Sequence, residues 1–216
     1  MKCSVCGMDY GVSHNCSGIA PLQTPEEAAP PPPRFAPSYY LRLAFNIVRW
    51  DDVSIRRASR DSNALLYGIA LWAAGVIIIF FGTALRPILQ RFSASPLATS
   101  PPALIIGLIF GLVFMLVYMG VITVVQLGLC HLIAKWFFGA AGTFIGVMRP
   151  LLLGWFMNCL ILIPYVGMLA AGIAWTAVLM LVFEEVDGIG RLQAFGISAG
   201  INICFIVLQY ALPAPH

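Results

Sequence analysis

The sequence predicts an all-α membrane protein: a five-helix transmembrane bundle, preceded by an amphipathic interfacial helix and a small Cys/His-rich N-terminal segment. Three observations predict it. Residues 63–212 hold only eight charged side chains in 150, arranged as apolar runs near a bilayer's thickness and broken by short polar hinges. The 216-residue chain is 60% hydrophobic and 10% charged, with a mean hydropathy of +0.91, whereas a soluble domain carries about a quarter charged residues. Thirteen of the twenty-one charged side chains precede Asn63. A water-facing head is therefore joined to a membrane body.

The head begins with residues 1–18. They contain Cys3-Ser4-Val5-Cys6-Gly7 and then His14-Asn15-Cys16. A C-x2-C turn followed by Gly brings two thiolates to one tetrahedral metal. Cys3, Cys6, His14 and Cys16 are accordingly the expected ligands of a zinc ion, and four protein ligands leave no open position, which makes the role structural. The second C-x2-C of a full zinc ribbon is missing, because Ile19 stands three residues after Cys16. An unmetallated tail is the alternative. Cysteines, Asp9 and His14 occupy the place of a secretory h-region, so the N-terminus is expected to stay in the cytosol. Disulfides are not expected there. Residues 1–34 set Lys2 and Arg34 against Asp9, Glu26 and Glu27, a mixture that excludes a nucleic-acid partner.

Residues 19–37 carry Pro21, Pro25, four consecutive prolines at 30–33, and Pro37. This reads as an extended polyproline-like linker, either a spacer or a ligand for a proline-binding module. Residues 38–62 then place Tyr39, Tyr40, Leu43, Ala44, Ile47, Val48 and Trp50 at near-helical spacing among Arg42, Arg49, Arg56, Arg57 and Arg60. The pattern predicts an amphipathic basic helix or helix pair resting on anionic headgroups. A plain topology signal accounts for the same arginines.

Five spans are predicted within residues 63–212. The first covers about residues 64–85 and stops at Arg86-Pro87; the second follows Pro101-Pro102 and runs to about His131. The third covers residues 143–163, with Arg149 snorkelling to the near interface. Pro164-Tyr165-Val166-Gly167 turns the chain into a fourth span ending at Phe183, and the fifth covers about residues 192–212. With the N-terminus inside, ten basic residues fall on inner segments and only Arg86 and Arg91 on outer ones. Were Pro164 only a kink, one helix of 33 residues would overrun a core of about 30 Å. Five spans with the N-terminus inside are the expectation, and a bacterial plasma membrane is the expected location.

Chemistry finds little support. Gly196-Ile197-Ser198-Ala199-Gly200 matches G-x-S-x-G, but His131 is the one histidine within the spans and no carboxylate is expected to orient it. Close helix packing through Gly196 and Gly200, and through Gly107 and Gly111, explains the glycines as well. The polar residues Thr123, Gln126, His131, Asn158, Thr176, Asn202 and Gln209 read as interhelical hydrogen-bonding glue, with a polar solute path as the alternative.

Several landmarks carry a resemblance. His131-Leu-Ile-Ala-Lys135-Trp-Phe-Phe-Gly139-Ala-Ala-Gly142-Thr-Phe is followed by Arg149-Pro150, the Pro164-Tyr165-Val166-Gly167 turn, and Phe183-Glu-Glu-Val-Asp-Gly188-Ile-Gly. Over residues 38–212 this resembles the Yip1 family of membrane proteins. The resemblance implies five transmembrane helices and a cytosolic N-terminus. Eukaryotic relatives bind prenylated Rab-type GTPases, but their Asp-Leu-Tyr-Gly-Pro-like motif is not found here, so that partner is not implied.

The expected function is that of a non-enzymatic scaffold in the lipid bilayer, using its cytosolic face for a protein partner or for self-association. Residues 135–142 together with Glu184, Glu185 and Asp187 would form that face. The alternative is a small-solute transporter or channel lined by Gln126, Asn158, Thr176 and Asn202. An intramembrane hydrolase would require Ser198.

Overall fold

The long helices alternate in direction, and the described reversals at residues 139–143, 163–166 and 188–190 each hold a Gly or Pro. The computed structural model describes residues 36–83 and 101–211, with Pro87 and Gln90, all within the unit that begins at Ala36. The expected zinc ligands Cys3, Cys6, His14 and Cys16, and almost all of the proline-rich linker, lie outside the described residues.

The described elements are helices: α1 (Pro37–Val48), α2 (Asp52–Arg60), α3 (Asn63–Thr83), α4 (Pro101–Phe138), α5 (Phe144–Gly154) continued by a 3-10 segment (Trp155–Leu162), α6 (Gly167–Asp187) and α7 (Arg191–Ala211). Four stretches among the described residues are long and apolar enough to cross a membrane: Asn63–Thr83, Ile105–Phe138, Phe144–Leu162 and Gly167–Asp187. Helix α7 stands beside them, and the side chain of Gln209 lies outside the described residues.

Three glycines fix the closest approach. A Cβ at Gly68 would lie 2.9 Å from Leu152 Cβ, one at Gly75 would lie 3.0 Å from the Trp155 ring, and one at Gly82 would lie 2.4 Å from Leu162. The numbers rise together, so α3 runs parallel to α5 and its 3-10 continuation. Neighbouring helices run the other way: Gly111 of α4 meets Phe80 and Gly120 meets Trp72, while Gly154 of α5 meets Val178 of α6 and Gly146 meets Val186. The heptad spacing of Gly68, Gly75 and Gly82 was legible and was not part of the predicted packing. Small residues at such spacing let membrane helices approach closely.

The third apolar run is only 19 residues. Pro150 removes one backbone donor inside α5, and the helix tightens into the 3-10 form from Trp155. At about 2.0 Å per residue that form lengthens the run, so the 19 residues still reach roughly 32 Å. The following turn confirms the predicted reversal at Pro164. Tyr165 takes a left-handed φ of 67°, and Gly167 packs so tightly that a Cβ there would meet Leu160 O at 2.4 Å.

Two expectations are corrected. Helix α4 does not stop near His131 but continues through Phe138, since no Gly or Pro interrupts it before Gly139, whose φ is +67°. The lead-in helix also turns its main apolar face inward. Tyr40, Leu43, Ala44 and Ile47 of α1 are buried against α3, α5 and α6, and Ile55 and Ala58 of α2 are buried as well. Those residues had been assigned to lipid; the bundle covers them instead.

Local chemistry holds these two short helices in place. Asp51 caps α2 by accepting from Ser54 N at 3.1 Å. Asp61 then opens α3 by accepting from Asn63 N at 2.9 Å, and its other oxygen accepts from Tyr40 Oη at 2.6 Å. Burial and this carboxylate hold the Tyr40 phenol above its usual range. It therefore stays a donor at neutral pH, stacked on Tyr67 with ring centroids 4.0 Å apart.

Candidate functional site

At one end of the bundle, the two segments singled out in the sequence come into direct contact. Ala141 N donates to Asp187 O at 3.1 Å, and the chain leaves α6 through Gly188, left-handed at φ 69°. A Cβ at Gly142 would sit 2.2 Å from Asp187 Oδ1 and 2.8 Å from Val186 O. Only glycine fits there.

His131 Nδ1 lies 3.2 Å from Asp187 Oδ2. The Asp187 side chain has no solvent exposure and that of His131 has 9%. A buried carboxylate is costly unless it is compensated. Compensation comes from His131, whose Nδ1 lies within hydrogen-bond reach of the carboxylate. Asp187 Oδ1 has no hydrogen-bond partner among the described residues. The expectation that no carboxylate orients His131 is thereby overturned: Asp187 closes α6 at the level where His131 projects from α4.

The remaining carboxylates of this segment are also engaged. Arg56 of α2 pairs with Glu185, and Arg191 Nε of α7 lies 2.8 Å from Glu184. Arg149 does reach this end as expected, where its Nη1 donates to Ser59 O at 2.8 Å. That carbonyl belongs to the last turn of α2, where a cation complements the helix dipole. All three carboxylates of the acidic segment thus serve to tie α2, α4 and α7 to α6. The expected partner-binding face spends its negative charge internally.

A second polar set lies deeper. Gln126 Nε2 of α4 donates to Asn202 Oδ1 of α7, Asn202 Nδ2 donates to Thr176 Oγ1 of α6 at 2.7 Å, and Thr176 Oγ1 donates to Gly172 O at 2.8 Å. Three of the four residues named for a solute path are therefore one hydrogen-bonded chain. Asn158 is not part of it, because its Nδ2 donates to Trp155 O at 2.9 Å within the 3-10 segment. Thr176 and Asn202 also line a lateral groove of about 630 Å³ between α6 and α7, walled by Met168, Ile173 and Phe195.

No family model, curated protein or solved structure matches this chain.

The remaining residues singled out in the sequence are not brought together. Ser198 is fully buried, and its Oγ has no hydrogen-bond partner among the described residues. It is not hydrogen-bonded to His131, so the geometry assembles no Ser-His-Asp relay. Gly196 and Gly200 face open space rather than a neighbouring helix, and the packing assigned to them is absent. Gly111 packs on Phe80, whereas Gly107 is exposed. Cys130, Cys159 and Cys204 are free thiols, and no group of three or more metal-ligating side chains occurs among the described residues.

Proposed function

We propose that this chain is a five-pass, non-enzymatic membrane scaffold of the Yip1 type, with its N-terminus in the cytosol of a bacterial cell. The observation that carries the reading is the segregation of charge. The Arg56–Glu185 and Arg191–Glu184 ion pairs and the His131–Asp187 contact link α2, α4, α6 and α7 at one end of an alternating bundle, while the deeper interhelical contacts are neutral amides and a hydroxyl. Ten of the twelve basic residues fall on the inner side of this topology, which supports the orientation.

The family assignment rests on the landmarks of the resemblance. Two of them, residues 131–142 and 183–190, pack on each other through Ala141, Gly142 and Asp187. The same reading keeps Cys3, Cys6, His14 and Cys16 as ligands of a structural zinc, for which stoichiometric metal lost in Cys3→Ser is the expected result. A reporter fused after His216 is expected to read as external. A cytosolic signal would remove the five-span topology.

A second reading has one specific observation in its favour: the chain Gln126–Asn202–Thr176 opens onto the groove between α6 and α7. A small-solute conduit would use that polarity. Asn202→Leu separates the two readings, since a scaffold keeps its folded, membrane-inserted state and its partners, whereas a conduit loses flux.

A further inference from the structure

Helix α1 carries a second apolar face that the bundle does not cover. Leu41 is 56% exposed and Phe45 is 54% exposed, on the side opposite Tyr40, Leu43, Ala44 and Ile47. Arg42 and Arg49 are exposed on the same stripe, and the Arg49 guanidinium carbon lies 5.7 Å from the centre of the Phe45 ring. Neither arginine has a carboxylate partner among the described residues. The nearest carboxylates in sequence are Asp51, which caps α2, and Asp52, in its first turn; neither pairs with Arg42 or Arg49 in the described ion pairs.

Trp50 extends the stripe. Asp51 N donates to Asn46 O at 3.1 Å and Trp50 N to Ile47 O at 3.0 Å, which is the paired closure of a helix end that glycine normally completes. Here Trp50 holds the left-handed position at φ 65° and is 56% exposed. A bulky side chain costs about 1–2 kcal/mol in that conformation. The packing of the chain supplies no reason for it, since the ring faces outward. Tyr165, the other non-glycine residue with positive φ among those described, is also aromatic and wholly exposed, at the opposite end of the bundle. Aromatic rings at both ends match the two headgroup levels of a bilayer.

The depth and direction of α1 fit the same surface. Tyr40 stacks on Tyr67, four residues into α3, and Ile47 Cγ2 lies 3.2 Å from the Cβ position of Gly154 on α5. Gly68 lies against Leu152, so those two contacts differ in level by about one turn, while α1 itself advances roughly 10 Å between Tyr40 and Ile47. The helix runs largely crosswise to the bundle, and Ile47 shares its level with Val178 of α6, about 13 Å inside the level of Asp187. At that depth the uncovered face lies among the acyl chains, from which arginine side chains snorkel outward to the headgroups.

We propose that Arg42 and Arg49, flanked by Leu41, Phe45 and Trp50, form a docking surface for the anionic phospholipid headgroups of the leaflet at the charged end. The arginines supply charge to the phosphates and the apolar side chains enter the acyl boundary. The proposal rests on the membrane-spanning reading, but not on the scaffold role. Native mass spectrometry of the full chain, purified in detergent and mixed with equal amounts of phosphatidylglycerol and phosphatidylcholine, tests it. Wild type is expected to retain phosphatidylglycerol preferentially, and Arg42→Gln with Arg49→Gln to lower that preference by about fivefold per arginine. Leu41→Ser with Phe45→Ser is expected to weaken retention of both lipids. Circular dichroism confirms that each variant is folded, and Lys135→Gln is the control for charge elsewhere at that end.

Equal retention of the two lipids by wild type, or an unchanged preference in the double arginine variant, overturns the proposal and leaves the stripe to a protein partner. So does an equal loss in Lys135→Gln. A chain that fails to partition into membranes during purification would instead sink the membrane-spanning reading.

Discussion

Two polar sets cross the bundle at different depths and are built from different chemistry. At the charged end, His131 and Asp187 lie 3.2 Å apart with Asp187 fully buried, and Arg56, Arg149 and Arg191 tie neighbouring helices to the same level. Thr176 stands eleven residues back from Asp187, about 16 Å deeper, and there Gln126, Asn202 and Thr176 link three helices without any charge. With a hydrocarbon core of about 30 Å, that depth is close to the midplane. Ionised groups are tolerated where headgroups and water approach; in the middle only neutral amides and hydroxyls serve. The first set locks the end of the bundle, and the second joins helices with little at stake.

The largest effect should come from breaking the charged set. His131→Leu leaves Asp187 buried without its His131 partner, and removal of one partner from a buried pair costs about 3–5 kcal/mol. Replacing both as His131→Leu with Asp187→Leu is expected to recover most of that loss, because a well-packed apolar pair is often neutral. Unfolding in mixed micelles measures both variants. If the single substitution costs less than 1 kcal/mol, the pair is not what closes this end.

Steric closure of the same end comes next. A Cβ at Gly142 would meet Asp187 Oδ1 and the Val186 carbonyl, so Gly142→Ala is expected to cost about 1–3 kcal/mol. Gly196→Ala, with nothing within 4 Å, should be neutral under the same assay. Equal costs at the two positions would mean that the reversal at residues 139–143 adapts freely.

Much of this architecture was legible in the sequence, and the reason is physical. Apolar run length and Gly or Pro punctuation are local properties, so the starts of α3, α5 and α6 and the turn at Pro164 could be read directly. The partner of His131 could not be read. Asp187 is 56 residues away, and only the alternation of helix directions, which sets α4 and α6 running the same way, brings their C-terminal ends together. The inward face of α1 escaped for a related reason, since Tyr40, Leu43, Ala44 and Ile47 form the same periodic stripe whether lipid or protein covers it. The misread packing at Gly196 and Gly200 shows the opposite error: small-x3-small spacing permits a close contact but does not require one. The heptad of Gly68, Gly75 and Gly82 carried the contact instead.

At the interface, backbone strain offers a smaller change of opposite sign. Trp50→Gly relieves the left-handed φ of 65° and is expected to raise stability in detergent by about 1 kcal/mol. In bilayers that gain should shrink, because the exposed ring is then lost from the headgroup region. Comparing the midpoint of thermal unfolding in detergent and in nanodiscs separates the two contributions. An identical gain in both environments would mean that the Trp50 ring has no membrane contact.

The smallest effect belongs to the midplane. Asn202 accepts from Gln126 and donates to Thr176, so intuition assigns a high value to bonds formed in hydrocarbon. Measured interhelical bonds in membranes average only about 0.6 kcal/mol, because the separated helices also find polar partners. A double-mutant cycle of Gln126→Leu and Asn202→Leu is therefore expected to return a coupling of about 0.6 kcal/mol, several-fold below the cost of breaking the His131–Asp187 pair. Thr176→Val removes the acceptor of the Asn202 amide and should cost a similar amount without altering insertion. A coupling above about 2 kcal/mol would place the amide chain among the structural locks and reverse the contrast between the two depths. It would also weaken the conduit reading, since a polar path for solute needs side chains that are free to exchange partners.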